Sequence, residues 1–311
     1  MLPDHLKNLL LSHLESHQLA DKQEIILEHA EPCVEITVEE EEDYVQTGNS
    51  RIAGYPDLPP GFEWPCDEDD HYFTFIAQFN LSELPPETLD FFPTHGMFYF
   101  FLGLDEPASD VAHKIFYYDG ELSLLKKTFP PEGKEEIAGD ERDFVGQKIS
   151  FQPSVTLPVE SEVCEQLYEH HIDLYDELCS HSDALWGQHK SYGGDSKLNA
   201  YLCRNGLDRL MYRYYKTEQQ VREEAQQARD KGYAEYAQEL EDEVLPMLRD
   251  YHQHLSYHQQ QTQDWHLLFT LSSLDEAGMC WWDAGYVEFF IHKKDLEARN
   301  FSNTYACIAT S

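Results

Sequence analysis

Few side chains in this sequence stand in patterns that do chemistry, and those few suit binding better than bond-breaking. Gln78 and Asn80 alternate along the apolar stretch FTFIAQFN, so both amides face one side of a strand and can line a pocket. The competing reading is that they satisfy neighbouring loop backbone, since a buried amide needs hydrogen-bond partners. Trp64, Trp282 and Asp283 complete a candidate set with Gln78, because ligand pockets combine aromatic walls with a few convergent polar groups. Trp281 and Trp282 are neighbours, so on a strand they face opposite sides and at most one enters the core. Arg51, a base in a very acidic chain, either orients an anionic ligand or pairs with a nearby carboxylate.

Other patterns fail when checked against the chemistry they would serve. His254 and His258 stand four apart on an expected helix, a spacing that can hold zinc. No acid or cysteine completes a known signature, and the tract YHQHLSYHQQQ reads as a solvated helix face. The run Asp67–Asp70 with His71 lacks a calcium loop's central glycine, since Tyr72 occupies that position. Its four acids also argue against a reactive thiolate at Cys66. Nucleophile-elbow, dinucleotide, phosphate-loop, HExxH and paired CxxC motifs are all absent. The residues therefore imply no metal, no cofactor and no catalytic group.

The 311 residues carry a net charge of −37, with 41% apolar and 13% aromatic content, which is enough to build a core. Such a charge argues against binding nucleic acid, whose phosphates need Lys and Arg, and against an anionic membrane surface. Two readings remain: a solubilising surface, or one that meets a basic partner. Seven scattered cysteines suit unpaired buried thiols in a reducing compartment. With no signal or membrane-spanning segment in the sequence, the expected location is cytoplasmic.

The elements that must position these residues follow from periodicity. Leu2, Leu6, Leu9, Leu10 and Leu14 recur at helical steps, giving an amphipathic helix over 3–17. Cys33–Val38 alternates as a half-buried strand, followed by a solvated acidic run at 39–43. Residues 72–81 and 97–102 are strands by their aromatic and β-branched content, and 115–125 reads as a hairpin turning at Asp119-Gly120. The segment 126–147 is a charged loop, and Phe151–Leu157 a short strand. Residues 159–180 take a helical period. Thr217 with Gln220 opens a long helical region as a capping box, which Gly232 divides into two helices, acidic outside and ending near 262, with Pro246 a kink in the second. Strands return at 265–271 and 285–291, followed by a helical turn.

The order of features recurs. Gly54, FTFIAQFNLSEL and GMFYFF match Gly193-Gly194, LLFTLSSLDE and GYVEFFI: a glycine turn, an apolar strand, an acidic turn and a strand ending in Phe-Phe. Duplication of one unit explains this, with modules over 50–157 and 186–302; so does the general likeness of aromatic hairpins. The fold class is α+β: mixed, mainly antiparallel sheets from two strand modules, with an N-terminal helix and a long helical insertion.

Certain stretches are distinctive. SRIAGYPDLPPGFEWP (50–65), FIAQFNLSEL (75–84), GMFYFF (96–101), HKSYGGD (189–195), WWDAGYVEFFI (281–291) and DLEARNFS (295–302) together resemble the YwqG-like family, a bacterial family of unknown function. The resemblance implies a mixed α+β fold and no established enzymatic activity. It also implies an immunity or binding role, because some members are thought to lie near toxin systems. The second block departs from the family pattern at Asp195, Thr270–Ser272 and Ala284. The expected function is a non-catalytic protein that binds a basic, toxin-like protein. The alternative is a small-molecule-binding protein or hydrolase with a pocket between the modules.

Overall fold

The computed structural model describes residues 2–104, 108–132, 142–159, 161–179, 183–189 and 195–309. These fall into two compact units, one formed by 1–194 with 266–311 and the other by 195–265. Each is described separately.

In the first unit, helix α1 (Asp4–Ser16) buries Leu6, Leu10 and Leu14, and α2 (Gln23–His29) buries Ile26, as their helical spacing requires. Strands follow as β1 (Glu31–Glu41), β2 (Arg51–Ile52), β3 (Asp57–Leu58), β4 (Thr74–Asn80), β5 (Met97–Leu102), β6 (His113–Tyr118), β7 (Lys126–Lys127) and β8 (Gln147–Thr156). Helices α3 (Glu162–His170) and α4 (Ile172–Leu178) pack with α1 and α2 beside Val155 and Leu157 of β8 and the chain after it. Next come β9 (Ala184–Leu185), β10 (Trp265–Ser272), β11 (Tyr286–His292), a helical turn at Lys293–Glu297 and β12 (Thr304–Ala309).

Ten strands form one sheet in the order β12-β11-β10-β9-β1-β8-β2-β4-β5-β6, while β3 and β7 pair separately. Its two ends meet. Val111 N–H donates to Ala306 O at 2.9 Å, Ile308 N–H to Ala108 O at 2.8 Å, and Ser109 bridges Cys307. Joining the ends removes the unpaired edges that would otherwise template aggregation. Inside the ring, phenylalanines from distant strands interlock: Phe79 and Phe100 each lie 4.9 Å from Phe269, and Phe100 lies 5.3 Å from Phe289. Strands β4 and β5 are buried on both faces, which is why β5 reads as an unbroken apolar run and β4 as one interrupted by Gln78 and Asn80.

The strand order is also symmetric about the central β1–β8 pair. Exchanging β1 with β8, β2 with β9, β4 with β10, β5 with β11 and β6 with β12 returns the same sheet. The register follows suit. Arg51 faces Gln78 as Ala184 faces Thr270, and Ile52 faces Ala77 as Leu185 faces Phe269. Ser50 Oγ accepts from Asn80 N–H at 2.8 Å, and Asp183 Oδ1 accepts from Ser272 N–H at 2.6 Å. Ala53 N–H donates to Ile76 O at 2.8 Å, and Trp186 N–H to Leu268 O at 3.0 Å. The pairs Ala53-Gly54 and Trp186-Gly187 turn the chain with positive φ at both residues (62° and 67°; 65° and 108°). Gly193 and Gly194, expected to open the second module, lie outside the described residues; Gly187 takes the place of Gly54.

The second unit is helical: α5 (Ser196–Arg204), α6 (Glu218–Asp230), α7 (Ala234–Glu239), α8 (Leu245–Gln253) and α9 (Leu255–Thr262). Thr217 and Gln220 form both bonds of the expected capping box. Gly232 follows the first helix with φ +88°, as a stop requires.

Several expectations need correction. The hairpin over 115–125 is β6 alone; past Gly120 the chain makes a tight helical turn at Leu122–Leu124, and β7 leaves to pair β3. The helix over 159–180 breaks at His171, whose φ and ψ are non-helical. The last two helices are three, α7 running through a π-type turn at Leu240–Val244 into α8, with Pro246 in its first turn where a missing N–H is tolerated. Strand β8 is longer than expected and contains Pro153, beyond the reach of two-residue β2, so the lost donor meets no second neighbour. The cysteines are not all thiols: Cys164 and Cys179 form a disulfide between α3 and the end of α4, with Cα atoms 6.2 Å apart. Helix packing brings them together across a separation no pairing rule reads from sequence.

Candidate functional site

The densest polar cluster surrounds Arg51. Strand β2 places this residue, 0% exposed, between β4 and β8, and the turn that follows brings Asp57 back against it. Its guanidinium donates to Tyr55 O at 2.9 Å, Asn49 Oδ1 at 2.7 Å and the Asp57 carboxylate. Nε lies 3.2 Å from Glu42 Oε2, an ion pair without hydrogen-bond alignment. Tyr44 lies against the guanidinium, with its ring centroid 5.1 Å away. One cation and two carboxylates are thus withdrawn from water together.

Backbone and amide donors balance the second negative charge. Asp57 Oδ2 accepts from Gly48 N–H at 2.8 Å and Gln78 Nε2 at 3.2 Å; Glu42 accepts from Tyr44 N–H at 2.8 Å and Asn49 Nδ2 at 2.7 Å. Gln78 also donates to Asn49 O at 2.8 Å and accepts from Asp57 N–H at 2.7 Å. Asn80 Nδ2 donates to Gly48 O at 2.8 Å, and its oxygen caps Ser82 N–H. Tyr99 donates its hydroxyl to Asp57 O at 2.6 Å, and burial pushes that phenol well above its ordinary pKa. The Gln78, Asn80 and Tyr99 arms tie loop 46–57 to β4 and β5, while the others hold residues 42–57 to one another. With these donors and acceptors used internally, the cluster works as a structural knot.

The knot, the paired positive-φ turns and the strands they join fall within one recognisable stretch. A family model described as "Domain of unknown function (DUF1963)" matches residues 50–309. The chain belongs to the DUF1963 family. No curated protein matches it. Glu42, the residue after strand β1, precedes the matched DUF1963 region, so the knot draws one of its carboxylates from outside it.

The expected site residues occupy three different places. Arg51, Gln78 and Asn80 converge in the knot. Trp64 belongs to an aromatic cluster on the outer side of β5, donating its indole N–H to Phe73 O at 2.8 Å and meeting Phe101 edge-on at 5.2 Å. Trp282 and Asp283 sit exposed on a turn, Trp282 with φ +52°, while neighbouring Trp281 is buried against Phe144. The two tryptophans divide as expected, but a turn rather than a strand separates them. Glu42, Asn49 and Asp57 escaped sequence reading because they act through long loops; the signal was Asn and Asp in GNSR and YPDLPP.

Asp67, Asp69 and His71 bring ligand-type atoms within 4.8 Å of one another. The Asp67 carboxylate, however, already accepts from Asp69 N–H, His71 N–H and His71 Nδ1, closing a tight turn between Cys66 and Tyr72. In the helical unit the solvated reading of the His254–His258 face fails at His258. It is 7% exposed, stacks on Tyr251 at 4.6 Å and meets the Tyr201 hydroxyl through Nδ1 at 2.6 Å. Burial lowers its pKa.

Between the strap Pro59–Cys66 and β6 runs an open groove of about 860 Å³, walled by Phe62, Trp64, Phe116 and Tyr118. Among the described residues, no helix is long and apolar enough to cross a membrane.

Proposed function

We propose that this DUF1963 chain is a non-catalytic binding protein of the YwqG-like kind whose partner is a basic protein. The observation that supports this reading is how charge is distributed. The helical unit holds nine Lys and Arg against thirteen Asp and Glu, a net −4, which leaves −33 on the strand-bearing unit. Exposed acids cluster there at Glu39, Glu40, Glu41 and Asp43, with Lys148 the cation paired to Glu40 and Asp43. A surface of one sign steers an opposite partner and selects against others. We also read the exchangeable strand order as an internal duplication, in which the helical unit interrupts the second copy.

The test is binding to a recovered basic partner measured by calorimetry across 50 to 300 mM salt. Affinity should fall steeply with salt, and reversing Glu39, Glu40 and Glu41 to Lys should weaken it more than reversing Glu223, Asp230 and Glu235 on the helical unit. Equal effects from both triple variants, or salt-independent binding, would contradict the proposal.

A further inference from the structure

The symmetry of the sheet marks one residue as out of place. The turn after β2 uses Ala53 at φ 62°, whereas the equivalent turn after β9 uses Trp186 at φ 65°. A left-handed conformation is unusual for any residue with a side chain and more so for a bulky one, and such strain persists where something over-determines it. Here the indole lies flat on His266, ring centroids 4.7 Å apart and planes 20° apart, with Phe91 at 4.6 Å. Phe91 remains 45% exposed, so this aromatic wall opens to solvent.

The wall faces a hollow of about 450 Å³ completed by Glu31, Pro32, Lys293, Leu296 and Glu297. That volume suits a small molecule. Its charged lining is two acids to one base. Glu31 Oε2 is withdrawn from solvent and accepts no hydrogen bond, and Glu31 forms no ion pair among the described residues. A buried carboxylate oxygen without a donor is costly, and a bound cation supplies what is missing. Aromatic faces beside carboxylates are the chemistry that recognises organic cations. The small base Lys293 is the internal competitor for the same acids.

We propose that this hollow binds a small organic cation, with Phe91 and Trp186 as its aromatic wall and Glu31 and Glu297 as its counter-charges. The head group is an alkylammonium or a guanidinium. The site is independent of the basic-protein reading, because it lies on different residues and takes a small molecule.

The test is calorimetric titration of the full chain with choline, with agmatine, and with 3,3-dimethylbutan-1-ol, the neutral carbon isostere of choline, all at one ionic strength. At least one cation should bind, and choline should bind about tenfold or more tighter than its isostere. Phe91→Ala and Glu31→Gln should each weaken the bound cation by at least about fivefold, the loss expected for one cation–π contact or one counter-charge. Both positions are partly exposed, and circular dichroism verifies that each variant keeps its fold. Equal binding of the neutral isostere would overturn the proposal, as would cation binding that both folded variants leave unchanged. Absence of binding by either cation at millimolar concentration would overturn it too.

Discussion

The two halves of the ring share a frame and fill it differently. In the half built on β2 and β4, the frame positions carry Arg51 and Gln78, and a loop returns two carboxylates to them. In the half built on β9 and β10, the same positions carry Ala184 and Thr270, and the bulk is moved two residues along, to Trp186 in place of Ala53. One half is held by a polar knot and the other by aromatic packing. Hydrogen-bonded networks specify one geometry, whereas an aromatic wall tolerates a ligand; the hollow proposed above combines Trp186 and Lys293–Glu297 of the second half with Phe91 of the first and lies away from the knot.

The largest effect should come from the knot. Arg51→Met leaves Glu42 and Asp57 buried without their cation and should destabilise the protein by about 3–5 kcal/mol, read from urea unfolding midpoints. Adding Glu42→Gln and Asp57→Asn should recover part of that loss. Ala184→Ser, at the equivalent buried position, should cost about 1–2 kcal/mol, well below the loss at Arg51. Similar losses at both positions would break the contrast between the halves.

The disulfide lies in the segment joining the halves and should support both equally. It closes a loop of 15 residues, for which chain entropy predicts about 3 kcal/mol. Thermal unfolding with and without reductant checks this, and Cys164→Ser should remove the difference.

The glycine turns test the shared frame itself. A Cβ at Gly54 would meet Gly146 Cα at 2.8 Å, and one at Gly187 would meet Cys33 Cβ at 3.0 Å, both with positive φ. Gly54→Ala and Gly187→Ala should each cost about 2 kcal/mol, more than Gly206→Ala, which has positive φ but open space. Unequal responses at Gly54 and Gly187 would argue against equivalence.

The helical unit, present in the second half alone, should show the smallest effect, through pH. His258 binds its proton less readily folded than unfolded, because burial disfavours the charged ring. Its contribution is therefore complete above the unfolded value of about 6.5 and is lost as pH falls from there toward the folded value. Burial pushes Glu224 up, but hydrogen bonds from Lys216, Tyr236 and Arg213 outweigh it and hold the carboxyl at about 2, so a second loss begins below its usual 4.5. Relative to the intrinsic exchange rate at each pH, the protection of peptides within 195–265 should fall from pH 7.5 to 5.5, and His258→Gln should flatten that change.

Much of this architecture was legible in the sequence. Leucine spacing locates α1, aromatic and β-branched content locates β4 and β5, and Thr217 with Gln220 locates the start of α6. The α+β class and the insertion followed from where period two gave way to a helical period. What escaped depends on distance along the chain. Strand β12 has too short a pattern to stand out, and Glu42 and Asp57 become partners of Arg51 only when loops close. His258 looked solvated because a polar tract hides which face meets Tyr201 and Tyr251. Among candidate binding residues, Trp64 and Trp282 stand out by type, whereas Trp186 does not, because only the folded turn shows its unusual backbone.

The separation of hollow from knot is tested most directly by hydrogen exchange on the full chain with and without saturating choline. The account predicts slower exchange in peptides around Phe91, Trp186–Gly187 and Lys293–Glu297, and unchanged exchange across Gly48–Asp57 and Gln78. Slowing confined to Gly48–Asp57 and Gln78 would contradict it, placing the ligand at the knot rather than in the hollow.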